Sequence, residues 1–174
     1  MSPASDHRAL LTDSGRPDTT GRHRIVDAAP GRALDLIAEI AATVCGTPMA
    51  IVSIVDADRV RFVAARGLGD IRQVAAVPGL CASALGADGL YLITDATTDP
   101  RARNHPLVRG GPGVRFYAGA PIVAADGRRL GVVAALDIGP RQLTETQTTV
   151  LTQLAELVLD HLPRVIPRQP ATRA

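Results

Sequence analysis

Residues 113–137 read GVRFYAGAPIVAADGRRLGVVAALD, two apolar runs separated by the dipeptide Asp126-Gly127. An Asp-Gly pair between apolar runs is a strong signal for a β-hairpin, because glycine accepts the positive φ that a tight turn requires. The stretch therefore predicts strands over Arg115–Val123 and Leu130–Ile138. Strands joined by a tight turn pair antiparallel, so this hairpin favours an antiparallel sheet.

The residues upstream of this hairpin predict a helix followed by a second hairpin. Residues 31–45 place apolar side chains at helical spacing, and Gly46 follows as a C-cap. Residues 49–56 are apolar on both faces, which suits a central strand covered on both sides. Residues 60–66 resume as the partner strand after a turn.

Three further elements complete the order of the chain. Residues 79–86 predict one or two helical turns, and residues 90–94 predict a short strand. An apolar stripe over 143–162 predicts a long helix, with Thr144 or Thr146 near its N-terminus. The order of helix, hairpin, short helix, strand, irregular loop, hairpin and long helix indicates an α+β domain, a sheet with helices packed on it.

The composition favours one globular domain whose body carries no excess positive charge. The chain has 174 residues, of which 46% are hydrophobic, too many for a disordered protein. Residues 1–24 have a net charge of +1 and residues 163–174 of +3, whereas residues 25–162 have −2. We therefore expect no nucleic-acid partner, because the body lacks the charge that binds phosphates. All 19 basic residues are arginine, which excludes mechanisms that need a lysine.

The cysteines and the N-terminus give further limits. Cys45 and Cys81 form no CxxC motif, which excludes a zinc ribbon or a thioredoxin motif. The four histidines show no ligand spacing, so we expect no metal site. No apolar run is long enough for a signal peptide or a membrane span. We expect a cytoplasmic protein with no membrane partner.

From Asp95 onward the sequence is specific enough to suggest a family. Three stretches carry the resemblance: DATTDPRARNHPLV (95–108), the hairpin stretch 113–137, and PRQLTETQTTVLTQLAELV (140–158). They resemble the GAF domain of bacterial sensor and signalling proteins, in particular the variety found beside diguanylate cyclases and histidine kinases. The upstream residues 33–62 and the segment PGLCASAL (78–85) are similar to it as well.

The resemblance implies an antiparallel sheet of five or six strands. The N- and C-terminal helices would cover one face, and short helices and loops would enclose a small-molecule pocket on the other. The similarity extends over residues 25–163, which we expect to form the GAF domain. Residues 1–24 and 164–174 are rich in proline, arginine and small polar residues, and we expect them to be disordered tails.

Cys81 is a candidate for the pocket. It lies at the start of the short predicted helix, where the positive end of the helix dipole is expected to lower the pKa of the thiol. A cysteine recurs at this position in similar GAF domains. The alternative is that Cys81 is a small buried hydrophobe, and the same is expected of Cys45, which closes an amphipathic helix.

The segment that follows Asp95 has two interpretations. In the structural one, Asp95 orders the loop by an Asx turn, Asp99 caps a helix that begins at Pro100, and Asn104 caps its far end. In the other, which the resemblance implies, Asp95, Asp99, Arg101 and Asn104 lie at the rim of the ligand pocket. Both interpretations stay open at this point.

Arg115, Phe116 and Tyr117 begin the strand that faces the pocket in the family. Side chains alternate along a strand, so Phe116 and Tyr117 point to opposite faces, and one of them can line the pocket. Tyr117 is the more informative, because a buried hydroxyl usually has a hydrogen-bond partner. Core packing is the alternative for both. The candidate ligand-binding residues are therefore Cys81, Asp95, Asp99, Arg101, Asn104, Arg115, Phe116 and Tyr117.

Better-defined GAF subclasses differ from this sequence. Cyclic-nucleotide-binding GAF domains carry an Asn-Lys motif, which a chain without lysine cannot match. Bilin-binding domains attach their chromophore through a cysteine followed by histidine, whereas Ala82 follows Cys81. The cysteine motifs of free methionine sulfoxide reductases do not appear either. Without a catalytic constellation, we expect no enzymatic activity, and the cofactor is left open.

The expected function is a stand-alone GAF sensory module that binds a small molecule. Because the chain contains no recognisable output domain, signalling is expected through a partner protein or a change of oligomer, with a homodimer formed by the terminal helices. A ligand-free module for dimerisation or docking is the alternative. A thiol-dependent enzyme similar to methionine sulfoxide reductases, using Cys81, is a further one.

Overall fold

The computed structural model describes residues 31–56, 58–75 and 79–162, so the predicted tails over 1–24 and 164–174 lie outside the described residues. The described helices are α1 (Arg32–Cys45), α2 (Leu80–Gly86), α3 (Pro106–Arg109) and α4 (Glu145–His161). The described strands are β1 (Met49–Val55), β2 (Arg59–Arg66), β3 (Gln73–Ala75), β4 (Tyr91–Ile93), β5 (Phe116–Val123) and β6 (Arg129–Asp137).

The strands form one antiparallel sheet in the order β3-β2-β1-β6-β5-β4. The predicted α+β class and the number of strands are confirmed. Each half of the chain contributes a hairpin, and the pairing of β1 with β6 joins the two halves at the centre of the sheet. No local sequence signal indicates that central pairing, because the two strands are far apart in the chain.

The predicted hairpin of β5 and β6 is confirmed. Gly127 adopts a φ of 83° in its turn, in the region that favours glycine. The register shifts between Ile122 and Val123, and β4 pairs only with Tyr117–Gly119 of β5. The rest of β5 is therefore an open edge on the β4 side, and Pro121, which has no N–H to donate, lies on it.

The two long helices begin and end at the predicted signals. α1 ends at Cys45, and Gly46 follows with a φ of 64°. Thr144 caps α4: its hydroxyl accepts from the amide of Gln147, whose side chain accepts from the amide of Thr144. The Nε2 of Gln147 also donates to the carbonyl of Val44 at 3.0 Å. The start of α4 thus lies against the end of α1, and the helices run antiparallel.

Both faces of the sheet are buried, which gives the domain two hydrophobic cores. The helix-side core lies beneath α1 and α4, and its strand residues are mostly small: Ala50, Val52, Phe116, Ala118, Ala120, Val133 and Ala135. The loop-side core lies beneath α2, α3 and the segment 94–115, and it includes Ile51, Leu80, Cys81, Ala84, Tyr117, Val132 and Leu136. Small side chains let the long helices approach the sheet closely, whereas the loop side has larger side chains and shorter covering elements.

Two local features differ from the sequence expectations. The edge strand β3 was not expected, because its three residues carry too little alternation to be recognised. The helix expected from Pro100 is a series of turns, and the short helix α3 begins instead at Pro106. A proline disfavours helical geometry in the residue before it, so His105 is extended, with ψ at 140°, and interrupts the helix.

The pairing of β1 with β6 predicts a severe effect of one substitution. A Cβ placed on Gly131 would lie 1.8 Å from the carbonyl oxygen of Ser53. Gly131→Ala should therefore separate the central strands and lower the free energy of unfolding by about 3 kcal/mol or more, measured by urea denaturation. Gly139→Ala is the matched control, because a Cβ on Gly139 meets nothing within 4 Å. Equal stability of the two variants would contradict the prediction.

Candidate functional site

The candidate site is the loop side of the sheet. The covering elements here are short: α2 has seven residues, α3 has four, and turns connect β4 to β5. Binding residues in proteins lie disproportionately on loops that a rigid scaffold positions. The strands β1, β5 and β6 provide such a scaffold here, because they are buried on both faces.

A cluster of three buried polar side chains lies between α2 and the sheet. The hydroxyl of Tyr117 donates to the Sγ of Cys81 at 3.3 Å, and both residues are buried. The third member of the cluster is Ser53 of β1, whose Oγ donates to the carbonyl of Val132 at 3.1 Å. Ser53 also makes a hydrogen bond with Cys81. Two of the predicted ligand residues, Cys81 and Tyr117, are therefore in direct contact.

The predicted effect on the pKa of Cys81 is wrong. Burial raises the pKa of this thiol, and the hydrogen bonds with Tyr117 and Ser53 offset the effect only in part. The expectation failed because the sequence shows the position at the start of α2 but not the depth of burial. Burial likewise raises the pKa of Cys45 to about 11, despite the nearby charge of Arg141. Both cysteines are therefore neutral thiols near pH 7.

The two thiols lie on opposite faces of the sheet. Cys45 belongs to the helix-side core and Cys81 to the loop-side core. The sheet separates them, so neither can form a disulfide with the other in this fold. A catalytic cycle that uses one as nucleophile and the other as resolving thiol does not fit this geometry.

At the rim of the site, an arginine stacks on a tyrosine ring that also contacts the buried Tyr117. The guanidinium of Arg101 lies 5.0 Å above the ring centroid of Tyr91. The ring of Tyr91 in turn meets the ring of Tyr117 edge to face, with 6.3 Å between the centroids. Arg101 is fixed by Asp99, with 2.6 Å from Nη2 to Oδ2, and this pairing lowers the pKa of Asp99. Tyr91 was not among the predicted site residues.

Asp95 and Arg115 form the base of the loop. The Nη2 of Arg115 lies 2.6 Å from the Oδ2 of Asp95, and the amide and hydroxyl of Thr97 donate to the Oδ1. The amide contact is the expected Asx turn. Hydrogen bonds from Arg115 and then Thr97 hold the pKa of Asp95 well below its usual range. The ion pair joins the two ends of the segment between β4 and β5. Within it, the charges of the carboxylate and the guanidinium neutralise each other.

Two predicted residues lie away from this arrangement. Asn104 is in an exposed turn ahead of α3. Phe116 is fully buried in the helix-side core, on the other face from Tyr117. Its assignment to the ligand site is therefore corrected: alternation along β5 places Tyr117 on the loop side and Phe116 beneath the long helices.

His105 is a structural residue that sequence reasoning missed. It is buried, and its Nδ1 accepts a hydrogen bond from the amide of Leu107 at 3.1 Å, so the side chain caps α3. Burial lowers the pKa of His105 from 6.5. The dipeptide His105-Pro106 was the available signal, because proline is common at the first position of a helix.

Asp137 and Arg141 hold the neighbouring end of the sheet. The Nε of Arg141 donates to the Oδ2 of Asp137, and the backbone amide of Arg141 donates to the carbonyl of Thr94. Burial alone would raise the pKa of Asp137, but the hydrogen bonds from Arg141 and the amide of Gly139 outweigh it, and the pKa is lowered. The segment from Asp137 to Arg141 thus has a structural role, because it connects the end of β6 to the residue after β4.

An antiparallel sheet with long helices on one face and short helices and loops on the other defines an α+β domain. The chain belongs to the GAF domain family, whose model matches residues 29–160. The resemblance seen in the sequence is thereby confirmed. Its general role is that of a sensory or ligand-binding module.

Relatives and solved structures agree with this assignment. The chain is 44% identical over 114 residues to a cyclic di-GMP phosphodiesterase of Pseudomonas aeruginosa, covering 65% of this chain and 19% of the relative. The chain therefore spans about a fifth of that protein. The GAF domain of a phosphoenolpyruvate-protein phosphotransferase from Coxiella burnetii matches with a TM-score of 0.63 and 17% identity, over 78% of this chain and 84% of that one.

A third similarity corrects the expectation about enzymatic activity. A free methionine-R-sulfoxide reductase from Neisseria meningitidis matches with a TM-score of 0.61 and 20% identity, over 79% of this chain and 81% of that one. That protein and the relative from Pseudomonas aeruginosa are both named as enzymes. The expectation of no enzymatic activity is therefore contradicted.

None of the helices in the described part of the chain is long and apolar enough to cross a membrane.

The cap on α3 predicts a pH dependence of stability. His105 accepts a hydrogen bond in its neutral form, and its folded pKa lies below 6.5. The unfolded chain therefore takes up the proton first, so this contribution to stability is present above pH 6.5 and is lost as the pH falls toward the folded pKa. His105→Asn, which keeps a capping acceptor, should melt with a smaller decrease between pH 7.5 and 5 than the wild type.

His105→Ala provides the second arm of that experiment. It removes the cap and should cost about 1 kcal/mol at pH 7.5. Thermal melts followed by circular dichroism at several pH values measure both variants. An equal fall in melting temperature with pH for the wild type and His105→Asn would contradict the prediction. Protonation of His105 would then make no contribution to the pH dependence of stability.

Proposed function

We propose that this GAF domain binds a small molecule on the loop side of its sheet and passes the change to a partner protein or a second copy through α1 and α4. One observation carries the proposal: Ser53, Cys81 and Tyr117 are buried polar groups between a short helix and the sheet. Ligand sites are mostly apolar, with a few polar groups that fix the orientation of the ligand.

The cover over these groups is short. The helix α2 has no side-chain cap at its N-terminus, and a helix of seven residues has little stability of its own. Its buried side chains pack on the loop-side core, and at its C-terminal end the Nη1 of Arg129 donates to the carbonyls of Leu85 and Ala87. Moving α2 therefore disturbs one short helix and its contact with Arg129, whereas moving α1 or α4 would open the helix-side core.

The predicted ligand residues on this side have distinct places in the proposal. Tyr117 forms the floor, and Cys81 contacts it from the buried side of α2. Arg101, with Asp99, lies at the rim over Tyr91. The remaining members lie on the segment between β4 and β5: Asp95, Asn104 and Arg115.

The outer surface of the long helices is the proposed route to the output. Leu36 and Ile40 of α1 are 44% and 42% exposed, and Leu157 of α4 is 42% exposed. Leu36 and Ile40 are four residues apart and therefore lie on one face of α1. We therefore assign this surface to a homodimer or to a partner of similar apolar character.

The relative from Pseudomonas aeruginosa suggests the kind of output. Since the matching stretch covers 19% of a protein named as a phosphodiesterase, we assign this domain a controlling role over an activity carried elsewhere. The domain itself is assigned to residues 25–163. We place it in the cytoplasm, because both cysteines are free thiols, as is usual in a reducing compartment.

The structure gives less support to the two alternative functions, a docking module and a sulfoxide reductase. A docking module without a ligand has no need of buried polar groups under α2. A sulfoxide reductase that uses Cys81 needs a thiolate, and burial raises the pKa of this thiol. The buried cluster therefore favours ligand binding over both.

Native mass spectrometry of the protein purified without added ligand tests the proposal. We expect a dimer that carries additional mass, with an absorbance spectrum that identifies a chromophoric ligand. Leu157→Glu should yield a monomer that keeps the additional mass, because the ligand lies on the other side of the sheet. Thr152→Glu, an exposed change elsewhere on α4, should remain dimeric.

The contradicting result has two parts. A bare polypeptide mass, together with no rise in melting temperature on adding cyclic di-GMP, cyclic nucleotides, flavins or free methionine sulfoxide, would favour the docking module. A monomer at all concentrations would contradict the proposed output through the long helices. Turnover of methionine sulfoxide that Cys81→Ala abolishes would favour the reductase.

A further inference from the structure

We propose that the hydroxyl of Tyr117 is the group that recognises the ligand, and that the ligand presents an uncharged hydrogen-bond acceptor on a small apolar body. The inference rests on the proposed function and gives it a chemical class. It starts from the fact that the hydroxyl of Tyr117, fully buried in the loop-side core, has a poor partner in this structure.

The partner of that hydroxyl is a thiol sulfur. Tyr117 donates to the Sγ of Cys81 at 3.3 Å, and thiol sulfur is a weak acceptor. Burying a hydroxyl without a good acceptor costs free energy, which a phenylalanine at the same place would avoid. The hydroxyl of Tyr117 is therefore poorly satisfied by this partner alone.

Better acceptors near the cluster are already engaged. The carbonyl of Val132 accepts from Ser53. The carboxylates on this side, Asp95 and Asp99, lie at the rim and are paired with Arg115 and Arg101. An acceptor brought in by a ligand would therefore improve on the bond to Cys81 and displace it.

The ring of Tyr117 is placed for this role by a glycine. A Cβ on Gly119 would lie 2.8 Å from the Cε1 of Tyr117 and 2.9 Å from its hydroxyl oxygen. The ring therefore lies across bare backbone, and its hydroxyl extends toward α2. Tyr91 packs edge to face against the same ring and connects it to the rim at Arg101. A ligand that enters at Tyr91 thus arrives at the hydroxyl of Tyr117.

The surroundings select against a charged acceptor. A carboxylate or phosphate placed at Tyr117 would lose its hydration in the loop-side core. The cations nearest to the entrance, Arg101 and Arg115, are already neutralised by Asp99 and Asp95. A carbonyl or similar neutral oxygen loses less on burial and still accepts the hydrogen bond.

Three probes of similar size and different chemistry test the inference. Acetophenone carries a neutral acceptor, ethylbenzene lacks one, and benzoate carries a charged one. Binding is measured by titration calorimetry and by the shift in melting temperature. We expect wild-type protein to bind acetophenone about tenfold more tightly than ethylbenzene, with benzoate weaker than both.

Variants assign that preference to the hydroxyl. Tyr117→Phe should melt at or above the temperature of the wild type and bind acetophenone and ethylbenzene equally. Cys81→Ala removes the competing acceptor and should bind acetophenone more tightly than the wild type does. Cys45→Ala is the matched control for this change, because Cys45 lies on the opposite face of the sheet, and should leave the affinity unchanged.

The outcomes separate this inference from the proposed function. Equal binding of acetophenone and ethylbenzene to the wild type would overturn the role of Tyr117 while leaving a ligand site in place. Absence of binding by all three probes would overturn the assigned ligand class, and the native mass spectrum then decides the proposed function separately. A large loss of stability in Tyr117→Phe would show that the hydroxyl has a structural role.

Discussion

The pairing of β1 with β6 is the interaction on which the rest of the domain depends. It joins the hairpin of the first half of the chain to the hairpin of the second, and both strands are buried on both faces. Gly131 permits the two backbones to approach at Ser53. Because the central strands are covered on both sides, the sheet separates two cores.

Local signals predicted the parts of the fold that local sequence determines. The turn at Asp126-Gly127, the C-cap at Gly46 and the cap at Thr144 each depend on neighbouring residues, and each is present. The pairing of β1 with β6 and the edge strand β3 depend on distant partners. The helix expected from Pro100 does not continue into α3, because Pro106 enforces an extended conformation in the residue before it.

The candidate site could be predicted only in part, both in its residues and in its chemistry. Alternation separated Phe116 from Tyr117, but assigning each to a face required the packing of α1 and α4. The position of Cys81 was recognised, whereas its raised pKa follows from burial that no sequence pattern reveals. His105 and Tyr91 were missed because their roles, a cap and a stacking partner, arise from the loop conformation.

We expect the loop side to open independently of the helix side. Native-state hydrogen exchange, read by mass spectrometry, tests this directly. The backbone amides of α2 and α3 should exchange about a hundredfold faster than those of α1, α4 and β6, because the two helices are short and cover the sheet less extensively. Exchange of α2 at the rate of α4, through global unfolding alone, would contradict a ligand site that is opened by moving this cover.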